Sequence, residues 1–145
     1  KAKKSIRIKA SLEDVYNYLL DVSKSSECYD NLESVEKVDD ETYRWLMKEK
    51  DYGPLKFQVR YVLTYASNDV DCISWKSTGE GNTDVDGEVV LKAVGDGATE
   101  VTVTNNLASD IPIPRLMKAV AKPMATKELE RTIDTYLKNL KATLE

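Results

Sequence analysis

The clearest alternation of hydrophobic and polar residues falls in residues 57–65 (FQVRYVLTY). Phe57, Val59, Tyr61, Leu63 and Tyr65 occupy every second position. Because successive side chains of a strand point to opposite faces of the sheet, this pattern predicts a strand with one broad, aromatic face. That face either fills a core or lines a hollow, and the pattern leaves both interpretations open.

This strand is predicted at residues 56–66, and weaker patterns predict further strands at residues 5–10, 34–38, 42–48, 72–77, 87–94 and 99–107. The last two flank a Gly-Asp-Gly turn, which is typical of a β-hairpin. Residues 51–54 (DYGP) are predicted to form a turn, and residues 77–87 (STGEGNTDVDG) a polar loop.

Helical spacing appears directly after the first strand and again at the end of the chain. Ser11 is placed to cap a first helix, with Asp14 at its third position, and residues 25–32 (SSECYDNL) favour a second short helix. From about Pro114 the pattern is helical, and one apolar stripe runs along its last part: Leu129, Ile133, Tyr136, Leu137, Leu140 and Leu144. Pro123 interrupts the upstream part, so either one long helix kinks there, which we favour, or Thr126 caps a new helix.

This order predicts an α+β fold in a single domain, residues 1–145. A strand and two short helices precede a curved antiparallel sheet of about six or seven strands, and a long C-terminal helix follows it. The helix has an apolar face to bury against the sheet, and a strongly curved sheet can leave a cavity beneath such a helix.

Composition removes several classes of function. The chain has no histidine, which is the most common general base and metal ligand, and we expect neither a metal nor a cofactor. Cys28 and Cys72 form no C-x-x-C pair, and we expect two reduced, mostly buried thiols. Neither a signal peptide nor an apolar run long enough to span a membrane is present, so the expected location is cytoplasmic.

The charge of the chain also limits its partners. A net charge of −4 argues against nucleic-acid binding. The two ends are basic and the middle is acidic, so the ends either lie against the middle or form a basic face. Arg115, Lys118 and Lys122 form a basic stripe, which is either a solvated helix face or a gate that transiently contacts anionic membranes. We expect a monomer or a weak dimer.

Two short motifs carry no function. Residues 82–87 (NTDVDG) resemble the start of an EF-hand loop, but Ala93 stands where a bidentate glutamate is required. The Gly-Glu-Gly at residues 79–81 lacks the lysine of a phosphate loop and is most simply a turn.

Several stretches in this order resemble the START-like superfamily, also called SRPBCC, which has the helix-grip fold. They are residues 8–21 (IKASLEDVYNYLLD), 73–81 (ISWKSTGEG), 87–103 (GEVVLKAVGDGATEVTV) and 129–141 (LERTIDTYLKNLK). The resemblance implies a hydrophobic cavity between the sheet and the long helix. It does not imply one activity, because the superfamily includes lipid carriers, hormone receptors, aromatase/cyclases and chaperone activators.

The inward faces of the strands and the start of the terminal helix supply the candidate ligand-binding residues. Their large aromatic and adaptable apolar side chains are typical of pocket walls, although each also suits a filled core. The candidates are Trp45, Met47, Phe57, Val59, Tyr61, Leu63, Trp75, Val89, Leu91, Val103, Asn105, Met117, Val120, Ala121 and Met124. The aromatic members are the predicted walls, and the methionines near the helix start, together with Val120, are the predicted lid.

Polar groups in this set have two interpretations. Alternation with Val101 and Val103 turns Asn105, rather than Asn106, towards the inside. A buried amide must be hydrogen-bonded, so Asn105 either makes a structural contact or orients a ligand. The hydroxyl groups of Tyr43, Tyr61 and Tyr65 are likewise either ligand-orienting or bonded to the backbone.

Three functions follow from these candidates. The leading hypothesis is the binding or transport of a small apolar ligand, such as a lipid, isoprenoid or polyaromatic compound. The second is a cyclase or dehydratase, which needs an acid or base in the cavity; alternation points Arg60 and Glu88 outwards and weakens it. The third is a co-chaperone or assembly module with a filled core.

Overall fold

Seven strands form one antiparallel sheet whose first and last strands are neighbours. The structure, a computed structural model, describes residues 1–52, 55–109 and 118–145, and their side chains except those at 52, 55, 109 and 118–125. The sheet contains β1 (Ala2–Ile8), β2 (Leu32–Lys37), β3 (Thr42–Met47), β6 (Arg60–Ser67), β7 (Cys72–Gly81), β8 (Thr83–Ala93) and β9 (Thr99–Ser109), in the order β1-β9-β8-β7-β6-β3-β2. A separate pair consists of β4 (Lys50–Tyr52) and β5 (Leu55–Phe57).

The first and last helices lie where the periodicity predicts them, whereas the second short helix begins before the predicted residues 25–32 and ends before residue 29. The helices are α1 (Leu12–Leu20), α2 (Val22–Ser25), a 3₁₀ turn at Ser26–Cys28, and α3 (Lys118–Leu144). The Ser11 hydroxyl accepts a hydrogen bond from the Asp14 amide at 3.1 Å, which confirms the predicted cap of α1. The helix α3 continues through Pro123, so one long helix is confirmed and a new start at Thr126 is wrong.

The apolar stripe of α3 packs on the concave face of the sheet. Ile133, Leu137 and Leu140 are at most 2% exposed, and they share one cluster with Ile8 of β1 and Val101 of β9. This burial stabilises the helix more than its intrinsic propensity does, because isolated helices are marginal in water. The predicted antiparallel sheet wrapped around a C-terminal helix is confirmed.

The predicted strand at residues 56–66 is wrong near its start, where residues 58 and 59 interrupt it. Phe57 ends β5, where it pairs with Lys50, and β6 begins only at Arg60. Side-chain amides replace strand partners at the break. Gln58 Nε2 donates to the Met47 carbonyl at 2.9 Å, while Asn82 accepts from the Arg60 amide at 3.0 Å and donates to the Gln58 carbonyl at 2.8 Å. The aromatic face of this stretch therefore belongs to two different strands.

The predicted loop at residues 77–87 is also wrong, because β7 extends to Gly81 and β8 begins at Thr83. Thr83 and Val85 are buried while Asp84 and Asp86 are exposed, which is the alternation of a strand. Gly81 has φ +99°, and a Cβ there would lie 2.4 Å from the Arg60 carbonyl oxygen. Only glycine fits this close approach, where the pairing of β6 with β7 shifts register.

Ion pairs join the β4–β5 hairpin and the segment before β2 to α3. Lys50 pairs with Glu128, and Arg131 pairs with Glu128 at 2.9 Å and with Asp30 at 3.2 Å. The pair of Arg131 with Asp30 places a basic residue of the C-terminal region against the acidic middle, as one interpretation predicts. Lys4 instead pairs with Asp134 at 3.6 Å, so the two terminal regions also contact each other.

Both cysteines are free, as predicted. Cys28 is buried, and its Sγ lies 3.8 Å from the Tyr18 hydroxyl, whereas Cys72 is half-buried. Burial raises the pKa of the Cys28 thiol, which keeps it protonated near neutral pH. None of the helices in the described ranges combines the length and apolar character of a membrane span.

Candidate functional site: a cavity between the sheet and the terminal helix

A cavity of about 50 Å³ lies between the sheet, the α1–α2 segment and α3. Its described lining is mostly apolar and aromatic: Leu19, Val22, Ser25, Ser26, Tyr29, Trp45, Tyr61, Leu63, Tyr65, Ile73, Trp75, Val85, Val89, Val103, Asn105 and Tyr136. One water molecule needs roughly 10–15 Å³ on a comparable scale, so the space is larger than a single water molecule requires. The inward face of β6 therefore borders a hollow as well as a packed core.

A chain of aromatic rings connects α3 to the sheet along one side of this cavity. Tyr136 of α3 stacks on Tyr29 with ring centroids 4.2 Å apart, and Tyr29 meets Trp45 edge-on at 5.6 Å. Trp45 in turn lies nearly parallel to Tyr61 at 6.1 Å. Such ring pairs stabilise by about 0.5–1.5 kcal/mol beyond area burial, so they hold the cavity wall in place.

A hydrogen bond crosses three strands on the floor of the cavity. The register aligns Trp75 of β7, Gly87 of β8 and Asn105 of β9. Trp75 Nε1 donates to Asn105 Oδ1 at 3.0 Å directly above Gly87. A Cβ at Gly87 would lie 2.7 Å from each of these two atoms, so the glycine makes room for their bond.

Asn105 faces inwards, as its alternation predicts, and is 9% exposed. Asn106 turns to the other face, where it bonds to Asp86 at 3.3 Å. The bond from Trp75 is a structural contact, as one interpretation of Asn105 predicts, but it uses only the oxygen of the amide. None of the described residues accepts a hydrogen bond from Asn105 Nδ2.

Two further polar groups of the wall differ in how they are satisfied. The Tyr61 hydroxyl donates to the Met47 sulfur at 3.8 Å, which is a weak bond rather than the backbone bond considered above. Trp45 is 4% exposed, and its Nε1 has no acceptor among the described residues. A buried donor without a partner costs about 1–3 kcal/mol, so Trp45 is an exception that needs an explanation.

The tyrosines of the cavity remain neutral at physiological pH. Burial raises the pKa of Tyr29, Tyr61, Tyr65 and Tyr136 above the usual value of 10.0 for a phenol. Mutual repulsion between their phenolate forms adds to this effect. At Tyr65 the nearby Trp45 indole partly offsets this rise in pKa, although no hydrogen bond of ordinary geometry joins the two side chains. No Asp, Glu, Lys or Arg occurs in the described lining, so these phenols are its main titratable groups.

The structure places the sequence candidates in three groups. Seven line the cavity: Trp45, Tyr61, Leu63, Trp75, Val89, Val103 and Asn105. Four lie elsewhere among the described residues, in the core or near the break before β6: Met47, Phe57, Val59 and Leu91. Met117 lies outside the described residues, and the side chains of Val120, Ala121 and Met124 are not described.

The position of Phe57, Val59 and Leu91 away from the cavity has a simple cause. Phe57 and Val59 precede the start of β6, so they do not share the face of Tyr61. Leu91 lies further along β8 from the cavity and joins the cluster under α3. Of the basic stripe, Arg115 lies outside the described residues and the side chains of Lys118 and Lys122 are not described. Arg60 and Glu88 are exposed, as alternation predicts.

Other lining residues were not among the candidates, mainly those from the helical side. Tyr136 belongs to the apolar stripe of α3, so helical periodicity predicted that it is buried. The periodicity did not indicate whether Tyr136 lines a cavity or fills the core. Tyr29 follows the 3₁₀ turn, where no periodicity applies. Asn139 Nδ2 donates to the Cys28 carbonyl at 2.8 Å and fixes this segment against α3. That long-range contact has no local sequence signal.

The fold, with a cavity between the sheet and the terminal helix, is that of a helix-grip protein of the START type. Residues 1–145 match the family described as polyketide cyclase/dehydrase and lipid transport, and the chain belongs to this family. A comparison with curated protein sequences finds no match.

Solved structures with the same fold cover nearly the whole chain. A protein of Thermus thermophilus superposes with a TM-score of 0.83 at 22% identity, covering 99% of this chain and 95% of that one. The Zhui aromatase/cyclase from Streptomyces sp. R1128 gives 0.73 at 12% identity, with 99% and 92% covered. A STAR-related lipid transfer protein fragment from Xanthomonas axonopodis gives 0.66 at 16% identity, with 98% and 84% covered. At these identities the likeness establishes the fold alone.

Proposed function

We propose that the protein binds a small apolar molecule in the cavity between the sheet and α3, as a carrier or a receptor. The observation that carries this proposal is the aromatic wall around the hollow, formed by Tyr29, Trp45, Tyr61, Trp75 and Tyr136. Burial of apolar surface contributes about 25 cal/mol per Å² to affinity, and a few polar groups set the orientation of the ligand.

The volume of the cavity limits the ligand. At about 50 Å³ the hollow is smaller than the roughly 150 Å³ of a cavity that holds benzene, so even a compact ligand requires the wall to move. Among the ligand classes that the sequence suggests, a compact cyclic compound needs the smallest enlargement of this hollow, and a longer lipid needs a larger one. A ligand of either kind is consistent with a family whose description includes lipid transport.

The first experiment is native mass spectrometry of the purified protein, followed by solvent extraction and identification of released molecules. A stoichiometric apolar adduct supports the proposal and names the ligand class. A bare mass, together with no binding of lipids or aromatic compounds from a panel, contradicts it and favours the interaction-module hypothesis.

A matched pair of variants then tests the site. We expect Tyr61→Ala to lower ligand affinity by about tenfold or more, because an aromatic wall is worth at least about 1.4 kcal/mol. Tyr43→Ala is the control, since Tyr43 is a buried tyrosine of the same cluster that does not line the cavity. Titration calorimetry on both folded variants separates the two effects. Equal loss of affinity in both variants would show that Tyr61 has no specific role in ligand binding.

A cyclase or dehydratase is the second candidate, and the family description supports it. The phenols of Tyr65 and Tyr136 are among the proton donors of the described lining, since burial keeps them protonated by raising each pKa. For this candidate, Tyr65→Phe and Tyr136→Phe should abolish the cyclisation of a poly-β-ketone probe while leaving its binding intact. Unchanged product distribution in both variants would contradict it.

A further inference from the structure

A chain of four alternating charges joins α3 to two other elements of the fold. Arg131 donates to both carboxylate oxygens of Glu128, at 2.9 and 3.2 Å, and to Asp30 at 3.2 Å. Glu128 also pairs with Lys50 of β4. We call these four residues the Arg131 cluster. Their side chains are 34–48% exposed, so water and salt reach the ion pairs that they form.

The Arg131 cluster is directly attached to one wall residue of the cavity. Asp30 is exposed and follows Tyr29, which lines the cavity, so this short segment runs from the hollow to the surface. The Tyr29 ring lies between Tyr136 of α3, at 4.2 Å, and Trp45 of β3, at 5.6 Å. It therefore occupies space between the helix and the sheet beside the hollow, and moving it outwards would enlarge the hollow.

The segment that carries Tyr29 is held by contacts that water can replace. It leads into β2, which is an edge strand of the sheet and pairs irregularly with β3 at its start. The side-chain amide of Asn139 donates to the Cys28 carbonyl at 2.8 Å. The backbone amide of Lys48 donates to the Asn31 carbonyl, also at 2.8 Å. Polar contacts and half-exposed ion pairs contribute little net stability, whereas the aliphatic core under α3 has no such replacement in water.

We propose that Tyr29 is a gate residue of the hollow and that the Arg131 cluster holds the gate closed. This inference rests on the proposed function and adds the route by which a ligand enters. The ion pair of Asp30 with Arg131 breaks, the segment around Tyr29 moves away from α3, and the ring leaves space that a ligand needs. A ligand that binds only the open state has an apparent affinity reduced by the open fraction, so the cluster also tunes affinity.

Hydrogen exchange of the ligand-free protein tests the gate without any ligand. The Lys48 amide bonds to the Asn31 carbonyl, so it exchanges faster when this segment moves away. We expect Asp30→Asn to speed its exchange by about two- to fivefold, the factor that an exposed ion pair supplies. Salt at about 1 M should do the same in the unmutated protein. The Leu91 amide, bonded to the Asp71 carbonyl elsewhere in the sheet, is the reference and should not respond.

Asp134→Asn is the matched control for this experiment. Asp134 pairs with Lys4 between α3 and β1 at 3.6 Å, and its side chain is 48% exposed against 44% for Asp30. The variant removes the same charge from an equally exposed ion pair of α3, but not from the segment that carries Tyr29. We expect the exchange of the Lys48 amide to stay unchanged. Equal acceleration by both variants would show general loosening of the fold and would overturn the gate.

The rate at which an apolar probe enters is the second test. N-phenyl-1-naphthylamine carries no charge at neutral pH, and its fluorescence rises in apolar surroundings, so stopped-flow mixing follows its entry. We expect Asp30→Asn to raise the association rate by about two- to fivefold. Tyr29→Ala, which removes the ring itself, should raise it by at least as much, and Asp134→Asn should leave it unchanged. A rate that Asp30→Asn does not change would overturn the inference.

The outcomes separate this inference from the proposed function. Faster exchange and faster entry in Asp30→Asn, both absent from Asp134→Asn, support the gate. Unchanged exchange of the Lys48 amide, with the probe still bound, would overturn the gate and leave apolar binding intact. Failure of the unmutated protein and of every variant to bind the probe would contradict the proposed function, and with it a route for ligand entry.

Discussion

Two regions of the concave face of the sheet differ in how they are filled. The packed region, under α3, contains Ile8, Val101, Ile133, Leu137 and Leu140, all at most 2% exposed. The cavity region, beside it, has aromatic and aliphatic residues and the Asn105 amide around a hollow of about 50 Å³. The same strands β8 and β9 serve both regions, so the difference comes from side chains and not from backbone architecture.

The difference shows how a packed core and a hollow can share one sheet. Aliphatic side chains interlock at high density and supply most of the stabilisation of α3 on the sheet. Aromatic rings in chains, such as that from Tyr136 to Tyr61, form a wall without filling the space beside it. An unpaired donor such as Trp45 Nε1 costs stability, and a ligand acceptor would remove that cost.

The largest expected effect comes from a pair of equal truncations, one in each region. Leu140→Ala should lower the free energy of unfolding by about 2–5 kcal/mol, because it opens a new cavity in the packed region. Leu63→Ala should cost clearly less, since Leu63 already borders a hollow. Urea denaturation of both variants measures the difference. Equal losses would show that the two regions are packed alike.

Gly87→Ala tests the floor of the cavity region. The added Cβ would lie 2.4 Å from the Thr104 carbonyl oxygen and 2.7 Å from both atoms of the Trp75–Asn105 bond. We expect a loss of about 1–3 kcal/mol in the free energy of unfolding and a shift of the tryptophan emission maximum relative to the parent protein. Gly79→Ala is the control: it has open space around it, so only its φ of +97° opposes the change. A Gly87 variant as stable as the parent would contradict this account of the floor.

Alkaline pH should weaken the cavity region first. Burial raises the pKa of its tyrosines in the folded state, and it raises the pKa of Tyr18 to about 12 from 10.0. The folded protein therefore holds these protons more tightly than the unfolded chain. The resulting stabilisation is complete below about pH 10 and is lost as the pH rises from there through the folded-state pKa values.

Above about pH 10 the free energy of unfolding should fall by about 1.4 kcal/mol per pH unit for each buried tyrosine whose pKa is raised. Urea unfolding at about pH 8 and pH 11, with tyrosinate absorbance followed in parallel, measures it. Tyr136→Phe should reduce the slope, because it removes one of the buried phenols whose pKa is raised. A stability that does not change between these pH values would contradict the burial of the hydroxyl groups.

The smallest effect should come from the packed region. The Tyr16 hydroxyl is buried without a partner among the described residues. Tyr16→Phe removes only this group, so we expect the protein to become more stable by up to about 1 kcal/mol. Tyr61→Phe, which loses a weak bond to the Met47 sulfur, should not share the gain. Thermal unfolding of both variants checks this, and destabilisation by Tyr16→Phe would show that its hydroxyl is satisfied.

The sequence by itself determined the elements with a strong local period. The stripe from Ile133 to Leu140, the cap at Ser11 and the hairpin of β8 and β9 follow from spacing alone, because each depends on neighbours close in the chain. Alternation also correctly predicted that Asn105 faces inwards. These features need no knowledge of distant contacts.

The tertiary structure decided the rest. The break before β6 depends on Asn82, which is remote in sequence from Gln58 and satisfies its backbone carbonyl. The bond between Trp75 and Asn105 depends on Gly87 lying between them across three strands. Tyr29 and Tyr136 meet only because the 3₁₀ turn is fixed against α3. A cavity is the space that such long-range contacts leave open, and no local pattern of residues encodes its volume.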